Sequence, residues 1–259
     1  MNSPAFRIRY GFEAPECEPQ LESLLAHRSV RRYSDQPVLP SLETTLKAAA
    51  QSASTSSNLQ MWSAIQIERG EKRDRIADLC AKQRQVQTAP LFFAFLADHY
   101  RLASLAPDRA ERLEFTEFYT MAVVDAALAA ERMVCAAELA GLGICYIGEL
   151  RSHPEKVREE LNLPRGTFGL FGLCLGYPDP SRPADIKPRL PMNSVFFSDV
   201  YDADRGIGDY DERLSQFYRE QNMGDATWTQ RIQDRLGGPD MGPRASQLED
   251  LRRTGFAKK

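Results

Sequence analysis

Cysteine and histidine are scarce in this sequence, and their spacing excludes the common metal sites built from them. The chain has five cysteines and three histidines among 259 residues. No Cys-X-X-Cys pair occurs and the histidines are scattered, so we predict no zinc site and no other metal site. An odd number of cysteines, some inside apolar runs, indicates free thiols and favours a reducing, cytoplasmic compartment.

The sequence also lacks an excess of positive charge and any long apolar segment. Its formal net charge is −3, which argues against the basic surface that nucleic-acid binding requires. The longest weakly polar stretch, residues 122–130, contains Asp125 and is far shorter than the roughly 20 residues of a membrane-spanning helix. We therefore expect no nucleic-acid partner and no membrane partner, and any bound anion must be held by a local basic cluster.

Several motifs of nucleotide-binding and hydrolytic enzymes are missing. No GxGxxG follows a predicted strand, and there is no Walker A sequence, no GxSxG elbow and no HExxH. With no obvious nucleophile, base or metal site, we name no catalytic residue, and chemistry carried by a bound cofactor becomes more attractive.

Hydrophobic periodicity predicts many helices and few strands, which is typical of the α+β or mixed α/β class. The predicted strands are residues 64–68, 91–97, 143–148 and 169–176. The predicted helices are residues 19–29, 42–49 with Ser41 as N-cap, 72–83, 109–118, 119–140, 154–161, 210–220, 228–236 and 246–252. The Ala-rich helix 119–140 is apolar on most sides, which is typical of a core or a subunit interface.

We expect one domain over residues 1–259. Residues 1–18 would be an N-terminal extension. Residues 192–259 are polar and interrupted by glycine and proline, so we expect an excursion over the core or over a partner subunit.

Two basic clusters are candidates for an anion site. Residues 27–32 read HRSVRR and combine arginine forks, a hydroxyl and backbone N–H groups, which together suit a phosphate. Lys187 and Arg189 form the second cluster, and the two clusters could neutralise a phosphate from two sides. The alternative is a solvated basic helix end and a solvated loop.

Three further segments suit a polar or planar ligand. The hydroxyl-rich run at residues 54–60 could recognise a ribityl chain, or it is an ordinary flexible loop. Gln83 could offer its amide to a ring edge, or it is solvated. The glycine of Tyr146-Ile147-Gly148 permits close approach of backbone to a planar ligand, or it marks a bulge or turn.

Taken in order, these segments resemble the oxygen-insensitive NADPH nitroreductase and flavin reductase family. Each segment is weak alone, and their common order and spacing carry the resemblance from about Leu21 onward. The matching segments are HRSVRRY at 27–33, NLQ at 58–60, Gln83, GLGICYIG at 141–148, FGLCLGYP at 171–178 and KPRLP at 187–191.

The resemblance implies an α+β, FMN-dependent nitroreductase fold. Helices would flank a central mixed or antiparallel sheet, and an intertwined homodimer would hold FMN at the subunit interface. The implied roles are FMN phosphate and ribityl binding by His27, Arg28, Ser29, Arg31, Lys187 and Arg189, contact from the other subunit by Thr55 and Ser56, ring contact by Gln83, and lining of the flavin N5 side by Tyr146, Ile147, Gly148 and Glu149.

The resemblance also implies an activity. A reduced nicotinamide, NADPH or NADH, would pass hydride to flavin N5, and a nitroaromatic, a quinone or free flavin would then take its place in a ping-pong sequence. Two alternatives stay open. One is a specialised flavoenzyme of the same fold with a non-nicotinamide reductant, and the other is a non-catalytic flavin-binding protein.

Two positions depart from the family pattern. Glu149 stands where a second glycine is common, and a carboxylate beside the ring would disfavour an anionic reduced flavin unless it is paired or points away. In the late loop, Gly224 and Asp225 stand where further arginines are expected, which leaves Arg219 beside Glu220 and Asp225. Because this is a poor site for a nucleotide 2′-phosphate, we expect a weak preference for NADPH.

Overall fold

The computed structural model describes residues 3–13, 18, 21–238 and 242–259. Residues 1–2 and 14–17 of the predicted N-terminal extension 1–18, which include Cys17, lie outside the described residues. Two compact units divide the chain, a smaller one of residues 1–28 and 185–240 and a larger one of residues 29–184 and 241–259.

The described residues form eleven α-helices and four β-strands. The helices are α1 (Pro4–Tyr10), α2 (Glu22–Leu25), α3 (Pro40–Gln51), α4 (Glu71–Leu79), α5 (Arg84–Thr88), α6 (Tyr100–Leu105), α7 (Thr116–Leu139), α8 (Pro154–Glu160), α9 (Tyr210–Glu220), α10 (Trp228–Leu236) and α11 (Gln247–Thr254). The strands are β1 (Trp62–Gln66), β2 (Leu91–Asp98), β3 (Gly143–Ile147) and β4 (Thr167–Gly176).

The sheet of the larger unit has the order β1-β2-β4-β3, and each neighbouring pair is antiparallel. The two central strands, β2 and β4, are buried almost throughout, which explains why they read as continuous apolar runs in the sequence. All four predicted strands are confirmed, with β1 beginning two residues earlier than the predicted 64.

Helices cover both faces of this sheet. One face packs against α3 and α7 through a cluster that includes Leu46, Phe95 and Met133. The other packs against α4, α5 and α8 through Ile76, Val86 and Val157. The long apolar helix α7 therefore forms part of the core, as its composition predicts.

Several helix boundaries differ from the sequence prediction. Ser41 is not the N-cap of α3, because Pro40 occupies the first turn and Leu39 is the cap residue; proline favours the first helical turn, where its missing N–H is not needed. The predicted helix 72–83 ends at Leu79, and α5 follows separately. Residues 107–114 form a 3-10 helix instead of the predicted α-helix 109–118.

The smaller unit contains α1, α2, α9 and α10. Its apolar cluster consists of Tyr210, Leu214 and Tyr218, with Trp228 packed against it. The helix α2 is much shorter than the predicted 19–29. The predicted excursion 192–259 is divided between the units, since residues 242–259 belong to the larger one, and a single domain over the whole chain stays a prediction.

A search of the described helices for a membrane-spanning segment finds none with the necessary length and apolarity.

Candidate functional site

In the smaller unit, the buried side chain of Arg9 contacts the first residue of each predicted basic cluster. Its guanidinium donates to the carbonyl oxygens of His27 and, at 3.3 Å, Lys187. The backbone N–H of Arg189 in turn donates to the carbonyl of Arg9 at 2.9 Å. The structure therefore brings together the polypeptide backbone at residue 27 and at residues 187–189, which the sequence analysis expects to act jointly.

The predicted basic side chains of this unit, Arg28, Lys187 and Arg189, lie at its surface or are half-buried. The Lys187 ammonium lies over the ring of Tyr218, 5.4 Å from its centroid. The exposed Arg189 turns one guanidinium nitrogen toward the carbonyl of Lys187 at 3.3 Å. The Arg28 guanidinium donates to the carbonyl of Ala26 at 2.9 Å.

In the larger unit, the segment containing Ser29 and Arg31 lies along strand β3. The N–H of Val30 donates to the carbonyl of Ile144 at 2.7 Å, and Ser29 forms a parallel bridge with the same residue. Glycine at 143 is needed for this approach, because a Cβ there would lie only 2.5 Å from the Val30 side chain. Ser29 and Arg31 are both exposed and lie beside the strand that leads to residues 146–149.

Tyr146 and Ile147 end β3, and Gly148 begins a short 3-10 helix, Gly148–Arg151. The Tyr146 hydroxyl donates to a carboxylate oxygen of Glu131 on α7 at 3.0 Å. Burial, followed by the nearby Glu131 charge, raises the pKa of Tyr146 above its usual range, so the phenol is neutral. Ile147 is buried completely beneath this end of the strand.

Glu149 does not present an uncompensated carboxylate. A guanidinium nitrogen of Arg244 lies 2.8 Å from one carboxylate oxygen, and the Ser152 hydroxyl donates to the other. Arg244 also donates to the Ser152 hydroxyl at 3.1 Å, which closes a three-residue network. Glu149 is therefore paired. Pairing is one of the two conditions under which a carboxylate beside the ring would not disfavour an anionic reduced flavin.

Gln83 lies at the N-cap position of α5. Its side-chain oxygen accepts a hydrogen bond from the amide of the buried Gln85 at 2.7 Å, and the carbonyl of Gln85 accepts from the thiol of Cys174 on β4 at 3.4 Å. Gln83 is thus linked to β4, the strand that pairs with β3.

The hydroxyl-rich run is organised by Asp125, a carboxylate on α7 that is only 1% exposed. This carboxylate accepts hydrogen bonds from the Thr55 hydroxyl at 2.6 Å, the Ser56 N–H at 2.9 Å and the Met61 N–H at 3.2 Å. The Thr55 hydroxyl also accepts from the N–H of Gln60 at 2.9 Å. The hydroxyl of Thr55 thus holds the loop in shape.

This loop borders a groove of about 900 Å³ along strand β1. The loop backbone is unusual, since Ser57, Asn58 and Gln60 all have positive φ angles between 49° and 54°. The groove is lined by the loop residues Thr55, Asn58 and Gln60, the cations Lys47 and Arg101, and the apolar residues Trp62, Phe93 and Met133.

The late loop of the smaller unit retains Arg219, whose guanidinium donates to the Ser215 hydroxyl at 2.9 Å. That hydroxyl donates to the carbonyl of Asp225 at 2.5 Å. A second arginine is close to the aromatic cluster, because the guanidinium carbon of Arg231 lies 3.8 Å from the centroid of the Tyr218 ring.

The predicted site residues thus form three groups. Residues 27, 28, 187 and 189 belong to the smaller unit; residues 29, 31, 83 and 146–149 collect around β3; and residues 55 and 56 are held by α7. Three organising residues were missed by sequence reasoning. Asp125 had a local signal, as a carboxylate on the apolar side of an Ala-rich helix, whereas Arg9 and Arg244 had none.

Comparisons with known proteins identify the family of the chain. The Nitroreductase family model matches residues 24–177, and the model of the Nitroreductase family, C-terminal domain, matches residues 187–259. The chain is 37% identical over 249 residues to a Bacillus subtilis protein named FMN reductase (NADPH), covering 92% of this chain and 98% of that protein. It is 37% identical over 222 residues to an oxygen-insensitive NADPH nitroreductase of Salmonella typhimurium, covering 84% of this chain and 91% of that protein.

Solved structures show the same fold. A nitroreductase of Bacillus subtilis superposes with a TM-score of 0.85 at 36% identity, covering 93% of this chain and 100% of that chain. The NADPH:FMN oxidoreductase of Vibrio harveyi, complexed with NAD⁺, superposes with a TM-score of 0.82 at 33% identity, with the same coverage. The predicted nitroreductase fold is confirmed, with a fully antiparallel sheet, and the chain belongs to the nitroreductase family.

Proposed function

We propose that this protein is an FMN-dependent oxidoreductase that takes hydride from NADPH or NADH and passes it to a small-molecule acceptor. The observation that carries the proposal is the bridge between Ser29 and Ile144 in a chain of the nitroreductase family. It lays a hydroxyl and the cation of Arg31 beside the strand that leads to Gly148. Related proteins named FMN reductase (NADPH) and NADPH-flavin oxidoreductase support the choice of flavin and reductant.

The donor set of the chain suits FMN. Cations, a hydroxyl and backbone N–H groups are the donors that a phosphate requires, and an uncharged strand end beside Gly148 suits a planar ring. We propose that the phosphate and ribityl chain are bound by His27, Arg28, Ser29, Arg31, Lys187 and Arg189, and that the ring is contacted by Gln83, Tyr146, Ile147, Gly148 and Glu149.

FMN, when bound, supplies a ring that accepts and returns a hydride. The residues of the protein would bind FMN and orient its ring. Because Arg244 and Ser152 engage both carboxylate oxygens of Glu149, that side chain is compensated and adds little negative potential beside the ring. The proposed acceptors are nitroaromatics, quinones and free flavin, taken in a ping-pong sequence.

We further propose a homodimer that uses the outer face of α7. Val124, Leu128 and Leu139 lie on this helix and remain exposed, although the opposite face is packed in the core. An exposed apolar stripe of this kind favours association. In the dimer, the loop held by Asp125 would reach FMN of the other subunit, with Thr55 holding the loop and Ser56 making the contact.

The buried free thiols Cys80, Cys145 and Cys174 favour a cytoplasmic location.

The experiment that tests the function is spectroscopic. The purified protein should be yellow, should release FMN on denaturation, and should lose its flavin absorbance when NADPH or NADH is added without oxygen. Failure to bind FMN at micromolar concentration would contradict the proposal. Binding without bleaching by either nucleotide would instead favour a non-catalytic flavin-binding protein or a different reductant.

Reduction rates with the two nucleotides test the expected weak preference for NADPH. Arg219 is tied to Ser215 and its neighbours include Glu220 and Asp225, so it makes a poor site for a 2′-phosphate. We expect kcat/KM for NADPH and NADH to agree within about tenfold, a difference of roughly 1.4 kcal/mol. A kcat/KM a hundredfold higher for NADPH would show that other cations, such as Arg231, bind the 2′-phosphate.

A further inference from the structure

Helix α1 lies outside both matched family segments, which cover residues 24–177 and 187–259. This short helix nevertheless contributes a buried charge, since the whole Arg9 residue is only 5% exposed. A buried guanidinium is costly unless its N–H groups are hydrogen-bonded. The partners of Arg9 therefore indicate what the helix does.

All three nitrogens of the Arg9 guanidinium donate to main-chain carbonyls of the smaller unit. Nε donates to Leu25, Nη2 to His27 and Nη1 to Lys187, the last at 3.3 Å. Leu25 precedes the first basic cluster, His27 begins it, and Lys187 begins the second cluster. One rigid fork thus joins residues 25–27 to Lys187, which lies 178 residues from Arg9 in the sequence.

The main-chain carbonyl of Arg9 extends this connection. It accepts from the N–H of Arg189 at 2.9 Å and from a guanidinium nitrogen of Arg213 at 2.8 Å. The other terminal nitrogen of Arg213 donates to the carbonyl of Arg189 at 3.1 Å. Arg189 is consequently fixed at both its N–H and its carbonyl, while its own side chain stays exposed.

Helix α1 is itself held in place at both ends. The Ser3 hydroxyl accepts from the N–H of Phe6 at 3.0 Å, and Gly11 closes the helix with a left-handed φ of 81°. The N–H of Ala5 donates to the carboxylate of Glu22 at 3.2 Å. Arg7 on the same helix is different, because it is largely exposed and pairs with Glu13.

We propose that Arg9 is a positioning residue for the FMN phosphate, through which α1 sets the spacing between residues 27–28 and residues 187–189. This inference rests on the proposed function. Arg9 itself donates to carbonyls and acts through the backbone that carries the phosphate-binding side chains. Without it, three half-buried main-chain carbonyls lose a charged donor and the two basic segments can separate.

The test compares FMN with riboflavin, which has the same ring and ribityl chain without the phosphate. Dissociation constants for both are measured by flavin fluorescence with the apoprotein of the wild type, Arg9→Met, Arg9→Lys and Arg7→Met. Arg9→Met should weaken FMN binding by about tenfold or more, the size expected for lost hydrogen bonds to a charged group. Riboflavin binding should change less than twofold, so the preference for FMN over riboflavin shrinks.

The remaining variants make the test specific. Arg7→Met removes a cation from the same helix and should bind both flavins like the wild type. Arg9→Lys keeps the charge but not the fork, and it should retain only part of the preference for FMN. Equal weakening of both flavins in Arg9→Met, or wild-type FMN affinity in either Arg9 variant, would overturn the proposal. A wild-type protein that binds neither flavin would contradict the proposed function instead.

Discussion

Among single residues, two carboxylates shape the candidate site and each has a defined partner set. Asp125 is buried and satisfied by two backbone N–H groups and the Thr55 hydroxyl. Glu149 lies nearer the surface and uses Arg244 and Ser152. The first carboxylate sets the shape of a loop, and the second is neutralised beside the end of β3.

The pair between Glu149 and Arg244 should influence the reduction potential of bound FMN. In Arg244→Gln the carboxylate loses its cation, so negative potential near the ring increases and the reduced, more electron-rich flavin is disfavoured. We expect the midpoint potential to fall by on the order of 30 mV, which corresponds to about 1.4 kcal/mol for two electrons. Spectroelectrochemical titration of the FMN-loaded protein measures the change.

Two controls separate this effect from general loss of charge. The double variant Glu149→Gln with Arg244→Gln removes both charges and should return most of the potential. Arg158→Gln breaks a surface ion pair with Glu155 on α8 and should leave the potential unchanged. A potential in Arg244→Gln equal to that of the wild type would show that the carboxylate does not reach the flavin electrostatically.

Among the elements, α7 has two roles on two faces. Ala126, Ala129 and Met133 face the core, where small side chains let the helix lie close to the sheet and the neighbouring α3. Val124 and Leu128 on the outer face are 48% and 44% exposed. A helix that is apolar on most sides indicates burial on more than one side, and the described residues of one chain cover only one of them.

Substitution on the outer face of α7 tests the proposed dimer. Leu128→Glu places a charge in an apolar interface and should shift the protein from dimer to monomer, with a dissociation constant raised by about a hundredfold or more. Sedimentation velocity over a concentration series measures this shift. Leu248→Glu changes a leucine of similar exposure on α11 and should leave the dimer intact. A monomeric wild type, or a fully dimeric Leu128→Glu protein, would contradict the proposed interface.

For the larger unit as a whole, His99 joins parts of the chain that are distant in sequence. Its Nε2–H donates to the carbonyl of Phe118 at 3.1 Å, and its ring lies 4.4 Å from the ring of Phe256 near the end of α11. Burial lowers the pKa of His99 below its usual range, so the folded protein holds this histidine neutral. Protonation would place a positive charge among apolar rings.

Acidic pH should therefore destabilise the larger unit through His99. The folded-state pKa lies below the unfolded value of about 6.5, so the unfolded chain takes up a proton first as pH falls. Stability is complete above about pH 6.5 and is lost as the pH decreases toward the folded-state pKa. Each unit of pKa difference contributes about 1.4 kcal/mol. Urea unfolding at pH 7.5 and 5.5 measures the loss, and His99→Gln should show a smaller pH dependence than the wild type.

Much of the fold is predictable because its signals are local. The apolar runs at β2 and β4 identify strands buried on both faces, and the composition of α7 identifies a core helix. Boundaries are less predictable where a single residue competes with its neighbours. Pro40 displaces Ser41 from the N-cap because the restricted φ of proline suits the first helical turn, and this preference outweighs the hydroxyl cap.

The candidate site divides along similar lines. Its proposed binding groups occur as short motifs, so the residues at 27–31, 146–149 and 187–189 can be selected from their chemistry and order. The residues that hold these groups in place cannot be found in this way. Glu149 is compensated by Arg244, and Thr55 is engaged by Asp125, each across a long stretch of chain. Any of the chain's many arginines could pair with Glu149, and only the path of the backbone selects one.

The sequence by itself therefore determines the strands, the core helix α7, the family and the chemical nature of the basic clusters, because these depend on residue type and local spacing. The tertiary structure decides how those clusters are held. Arg9 bonds to Lys187 across 178 residues, and no periodicity or motif in either segment indicates that contact. A hydrogen bond needs the donor within about 3 Å of its acceptor. The two segments come that close only when the smaller unit folds and packs.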